Sequence, residues 1–241
     1  KGLLNKPISE YLTNIKTPCY LIDEESLTSN AKILSSIIEH TGCKILLAQK
    51  AFSCYDFYPL LSPYLSGTEA SGLYEARLGA EKMPSGEVHV FCAAYRDDEF
   101  EEILRYADHI VFNSIKQLRK FGKTAKDRGK NIGLRINPKC STQVGHEIYD
   151  PCAKGSRLGV VRDIWNKEMD KDLFRLLDGV HFHTLCEQNS DALEKTLKAV
   201  EEQFGDILPY MKWLNMGGGH HITKEDYDVK RLENIIRYAQ E

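Results

Sequence analysis

With 241 residues, 42% of them hydrophobic and 28% charged, the chain has the size and composition of one large α/β domain with a sizeable core. Its 32 Lys and Arg against 35 Asp and Glu leave a formal charge of −3, which argues against nucleic acid as the main partner and suits a cationic small molecule. The seven cysteines (Cys19, Cys43, Cys54, Cys92, Cys140, Cys152 and Cys186) are odd in number, irregularly spaced and without a C-x-x-C pair, which excludes a zinc ribbon or disulfide framework and fits a reducing, cytoplasmic setting.

In chain order, the opening Lys1–Lys6 is too short an apolar run for a secretory signal, and no window reaches the length of a membrane span. Cys19–Asp23 reads as a strand and Leu27–Glu39 as a helix, so residues 1–40 form an N-terminal lead-in to the main domain. From residue 41 to 241, short apolar runs alternate with amphipathic stretches. The runs are Lys44–Ala48, Gly67–Ala70, Val88–Cys92, His109–Asn113, Ile132–Asn137, Val180–His183 and Trp213–Met216. Asp98-x-x-Glu101 and Thr223-x-x-Asp226 read as capping boxes. Ser190 opens a helix with Leu193, Leu197, Val200 and Phe204 on one face, and a last helix turns Val229, Leu232, Ile235 and Ile236 inward. Alternating strands and helices imply a parallel sheet, and the closed form of that pattern is the (β/α)8 barrel. About seven of its βα units are present. The expectation is a TIM-type barrel that stops before strand 8.

Active sites of such barrels collect at the C-terminal ends of the strands, and side chains alternate between interior and helices. Lys50 follows the first barrel run on the parity of Leu46 and Ala48. A solvated charge is the plain reading of a lysine there. A Schiff-base lysine is the chemical one, since a neutral amine attacks an aldehyde. His181 and His183 share an inward face, with Val180 and Phe182 turned to the helices. Arg135 lies inward with Gly133 and Asn137, and a buried guanidinium needs an anion. Gly217, Gly218 and Gly219 follow the seventh strand, where bare backbone amides and a helix capped at Thr223 would hold a phosphate. Lysine, histidine and glycine loop together point to a phosphate-bearing aldehyde.

At these residues the chain resembles the carboxynorspermidine/carboxyspermidine decarboxylases, members of the alanine-racemase-like, fold-type III enzymes that depend on pyridoxal 5'-phosphate. The strings are KILLAQKAFS around Lys50, EVHVFCAAYRDDEFEEIL, ADHIVFNS, GLRINP, YDPCAKGSRLGV, GVHFHTLCEQNSDALE and KWLNMGGGHHIT, nearly the length of the chain. The resemblance implies that Lys50 bonds the cofactor, His183 stacks on its ring, Gly217, Gly218 and Gly219 take its phosphate, and Arg135 lies nearby. Lys50 and His183 are then the catalytic pair, and Glu187 is a candidate substrate carboxylate, with a backbone-bonded structural role as its plain alternative. The resemblance further implies a C-terminal β-sandwich domain, absent from this chain, and a cytoplasmic homodimer that decarboxylates a polyamine-type substrate. Leu185-Cys186 stands where relatives carry Gly-Ser, as expected of this subgroup, and Gln49 replaces an expected Leu. The eighth strand, with its acidic partner for the pyridine nitrogen, and the segment lent by a partner subunit are missing, so this chain alone is expected to be inactive.

Other readings are a barrel that binds pyridoxal phosphate without turnover, which fits the length but not the strings, and a decarboxylase of ornithine, lysine or diaminopimelate. His181-x-His183 with His220-His221 also evokes a zinc amidohydrolase, but there the His pair precedes the lysine. No metal is expected. Carboxynorspermidine and carboxyspermidine remain equal candidates.

Overall fold

The computed structural model describes residues 7–12, 15–143 and 149–241; the Lys1–Lys6 run lies outside them. A short helix, α1 (Ile8–Tyr11), and the long α2 (Glu24–Thr41) precede the sheet. The strands are β1 (Leu46–Ala48), β2 (Gly67–Ala70), β3 (Glu87–Phe91), β4 (His109–Phe112), β5 (Asn131–Arg135), β6 (Gly179–His181) and β7 (Trp213–Asn215). All six pairings are parallel, in the order β1 to β7, as the alternating pattern requires. Between them come α3 (Tyr58–Leu61), α4 (Leu73–Lys82), α5 (Asp97–Tyr106), α6 (Ile115–Asp127), the pair α7 (Arg162–Glu168) and α8 (Lys171–Phe174), and α9 (Ser190–Phe204). The helix α10 (Val229–Gln240) ends the chain.

Strand alternation builds two different faces. Val88, Val90, Ile110, Phe112, Ile132, Leu134, Val180 and Phe182 are buried against the helices, where Leu193, Leu197, Val200 and Phe204 of α9 meet the same core. Each such side chain contributes roughly 1.5–3 kcal/mol of transfer energy. The opposite face is concave, because side chains from strands that are not neighbours touch across it. Phe91 of β3 lies under the Arg135 guanidinium of β5, 4.7 Å from ring to charge, and 5.5 Å from the His181 ring of β6. His109 of β4 meets Trp213 of β7 at 5.4 Å. Trp213 fills the space over Gly133 and Gly179, where an added Cβ would lie 2.3 and 2.1 Å from the indole.

Among the described residues β1 and β7 have no pairing with each other, so the sheet is a curled, seven-stranded part of a barrel. The helices come closer to closing the ring. His40 of α2 bonds Glu233 of α10 at 2.7 Å, and Gln240 donates to the Thr41 carbonyl. No helix among the described residues is long and apolar enough to cross a membrane.

Three local expectations are corrected. Cys19–Asp23 is not a strand: it has no ladder to join, Tyr20 is fully exposed, and Asp23 serves instead as N-cap of α2, accepting from the Glu25 and Ser26 amides. Asp98 and Glu101 form no capping box; α5 starts at Asp97, Asp98 pairs with Arg96, and Glu101 with Arg128. Thr223 opens no helix. Residues 222–226 are turns, and α10 begins at Val229 with Asp228 accepting from the Arg231 amide.

Candidate active site

The strands β1, β5, β6 and β7 each deliver one of the expected residues to their C-terminal ends. Lys50 is exposed in the turn after β1. Gln49 before it is buried on the opposite side, donating to the Glu75 carbonyl at 2.8 Å and accepting from the Tyr58 hydroxyl at 3.1 Å. A polar residue tied outward at this position leaves Lys50 on the inner parity, which accounts for the unexpected Gln.

His183 lies beyond β6. Its Nδ1 accepts from the Gly218 amide at 3.1 Å, so the ring is held against the glycine loop. Burial, then the charges of Arg135 and Lys50, lower its pKa to about 3, which keeps the imidazole neutral. Arg135 is buried and donates to the His183 carbonyl at 3.1 Å. Burial lowers its pKa to about 10, against the opposing influence of Cys152 and then Glu69. His181 turns elsewhere. Its Nδ1 faces the Asn215 side-chain oxygen at 3.0 Å and its ring centroid is 6.5 Å from that of His183, so the two histidines do not share one ligand direction.

The glycine loop is shaped by close approach. Gly217 (φ +73°) would place a Cβ 2.5 Å from the Phe182 carbonyl oxygen, and Gly219 (φ +90°) would place one 2.2 Å from that of Leu185. Gly218, between them, opens onto the edge of the His183 ring with nothing nearer than 4.0 Å. Asn215 accepts the Gly217 amide at 2.8 Å. The helix expected at Thr223 starts ten residues after Gly219, at Val229, so the loop depends on its own amides rather than on a helix placed directly after it. Next to it, His220 meets the Tyr227 hydroxyl at 2.7 Å and burial lowers its pKa to about 4. Glu187 is exposed, in a left-handed conformation with φ +52°.

Glu69 was missed from sequence. It lies on the inner parity of β2 in register with Ala48 and His89, and its carboxyl is pushed up to about 7 by burial, against the opposing pull of Lys50 and Arg135. An acid in the middle of the run Gly67–Ala70 was the available signal; its electrostatic pull reaches Arg135, which itself donates to the His183 carbonyl. At the opposite, N-terminal end of the strands, Glu87, His89 and His109 bring one donor each within 4.8 Å of one another. There the carboxylate is already taken by Lys44 and by His89 at 2.9 Å, and the two imidazoles stack face to face at 3.9 Å. That arrangement is a hydrogen-bonded plug of the barrel interior.

No family model matches the chain. A carboxynorspermidine/carboxyspermidine decarboxylase of Campylobacter jejuni is 41% identical over 223 residues, 92% of this chain and 56% of the relative. A carboxyaminopropylagmatine decarboxylase of Synechocystis is 38% identical over 225 residues, 93% of this chain and 57% of the relative. Among solved structures, carboxynorspermidine decarboxylase from Campylobacter jejuni, in complex with norspermidine, superposes with a TM-score of 0.83 at 38% identity, over 93% of this chain and 56% of that one. A diaminopimelate decarboxylase from Helicobacter pylori superposes at 0.69 with 19% identity, over 97% and 62% of the respective chains, and shares the fold alone. The chain thus spans little more than half the length of the curated relatives it matches.

Proposed function

Because the chain belongs to the carboxynorspermidine/carboxyspermidine decarboxylase family, we propose that its protein removes CO₂ from a carboxylated polyamine, with pyridoxal 5'-phosphate held at the C-terminal ends of the strands. The substrate on this reading is carboxynorspermidine or carboxyspermidine, and the product norspermidine or spermidine. The observation that carries it is the gathering of Lys50, Arg135, His183 and the glycine loop at those strand ends. The same reading makes the whole protein a cytoplasmic homodimer with a second, β-sandwich domain.

The residues fit that cofactor. Gly217 and Gly219 make a backbone cradle that side chains would fill, and Gly218 leaves its centre open. His183, neutral and held by Gly218, offers a flat face beside it. When bound, the cofactor supplies an electron sink for the bond that breaks as CO₂ leaves. Lys50 supplies the amine that bonds its aldehyde. Arg135, through the His183 carbonyl, fixes the strand end that carries the ring. Glu69, on the inner parity of β2 and with its carboxyl pushed up by burial, adds an acidic group within the electrostatic reach of Lys50 and Arg135.

Lys50→Ala in the full-length protein should abolish both the visible absorbance gained with pyridoxal 5'-phosphate and CO₂ release. On wild type, kcat/KM for ornithine, lysine and diaminopimelate should fall on the order of 10⁴ below that for the carboxylated polyamine, since a shorter substrate leaves buried polar groups unpaired. An unchanged spectrum in Lys50→Ala removes the lysine assignment. Equal efficiency on ornithine or diaminopimelate removes the substrate assignment.

A further inference from the structure

Gln188 joins three loops, those that follow β5, β6 and β7. Its amide donates to the Gly219 carbonyl at 2.9 Å, and its own carbonyl accepts from the His221 amide at 3.1 Å. Its side-chain oxygen accepts from the Thr142 hydroxyl at 2.7 Å and from the Gln143 side-chain nitrogen at 2.9 Å, while its Nε2 donates to the Thr142 carbonyl at 2.6 Å. The residue before it, Glu187, is one of two non-glycine residues with positive φ among the described residues. The other, Lys139, lies in the loop after β5 that Gln188 grips. A side chain persists in left-handed backbone only where its surroundings over-determine it. The five hydrogen bonds of Gln188 are that determination on one side of Glu187. On the other, Leu185 is packed so close to Gly219 that no Cβ fits between them.

We propose that Gln188 is a positioning residue: it clasps the loop after β5 to the glycine loop and holds Glu187 between them, so that its carboxylate receives a distal ammonium of the substrate. The assignment rests on the proposed decarboxylase reading, and it deepens that reading. An exposed carboxylate on a floppy loop loses to side-chain entropy most of what it gains from an ammonium; fixing the backbone beforehand removes part of that cost. Glu187 makes the contact, and Gln188 acts through it.

The full-length protein provides the test, with Gln188→Ala, Glu187→Gln and the double variant assayed on carboxynorspermidine. Gln188→Ala and Glu187→Gln should each raise KM about tenfold with kcat within about twofold, because the contact serves binding rather than the reacting carbon. The double variant should be no worse than Glu187→Gln alone, as residues acting through one contact are not additive. Limited proteolysis of cofactor-free protein gives a second measurement: in Gln188→Ala, cleavage by a broad-specificity protease at residues 140–143 should speed up while β4 and β5 stay uncut. Unchanged KM in Gln188→Ala, additive losses, or unchanged cleavage at residues 140–143 would overturn the clasp. Wild type without CO₂ release from any carboxylated polyamine would sink the decarboxylase reading instead, and with it the role of Glu187; the proteolysis still decides the clasp.

Discussion

Burial lifts the Glu69 carboxyl to about 7 from an ordinary 4.5, against the attraction of Lys50 and Arg135. Between those two values the folded state holds more proton than the unfolded chain, so stability is present at low pH and lost as pH rises through 7. Glu69→Gln, which cannot ionise, should therefore be more stable than wild type at pH 8, by roughly 1–3 kcal/mol after allowing for partial screening. It should also flatten the fall between pH 5 and 8; urea unfolding across that range is the measurement, and parallel curves for the two proteins would contradict the assignment. His181 and His183 act in the opposite sense. Their pKa values of about 3 lie below the ordinary 6.5, so their contribution is lost as pH falls from 6.5 toward 3. Lys50, Arg135 and His183 were legible because each is a poor core residue on an inward parity. Glu69 is equally inward, but it lies inside its strand, one residue short of the end where such barrels gather their active sites.

The strands and helices around these residues follow local rules with definite exceptions. Gly133 and Gly179 carry no side chain because Trp213, two strands from the first and one from the second, occupies the interior above them. Gly179→Ala should cost about 1–3 kcal/mol by overpacking. Combining it with Trp213→Phe should lose less than the sum of the two single changes, because they share one space. Thermal or urea unfolding of the three variants checks this, and strict additivity would mean the clash is relieved elsewhere. The two capping boxes failed differently: α5 already begins at Asp97, with Asp98 paired to Arg96 and Glu101 to Arg128, while no helix starts at Thr223. Asp23 and Asp228 cap α2 and α10, and Asp228 does so while also pairing with Arg231 at 3.6 Å.

Among the described residues the sheet has two open edges, at β1 and β7, while α2 and α10 are already joined by His40, Glu233 and Gln240. Unpaired strand edges are templates for association. The isolated 241-residue chain is expected to self-associate as its concentration rises, and light scattering behind size exclusion measures this. A monodisperse monomer at every concentration would show that the edges are protected. The interior between those edges mixes polar and aromatic groups, with His89, His109, Arg135 and His181 beside Phe91 and Trp213 in place of the layered aliphatic residues typical of such barrels.

Periodicity and residue chemistry, both local, were enough to order the seven parallel strands, to place the helices between them and to pick out the residues at the strand ends. Long-range packing settled the rest. Cys19–Asp23 has no ladder to join, because pairing needs a neighbour that periodicity does not supply. The fold brought Glu69 within the electrostatic reach of Lys50 and Arg135, set His183 rather than His181 against Gly218, and gathered three loops on Gln188. Each of these depends on how far the sheet curls, a property of all seven strands together and of no segment alone.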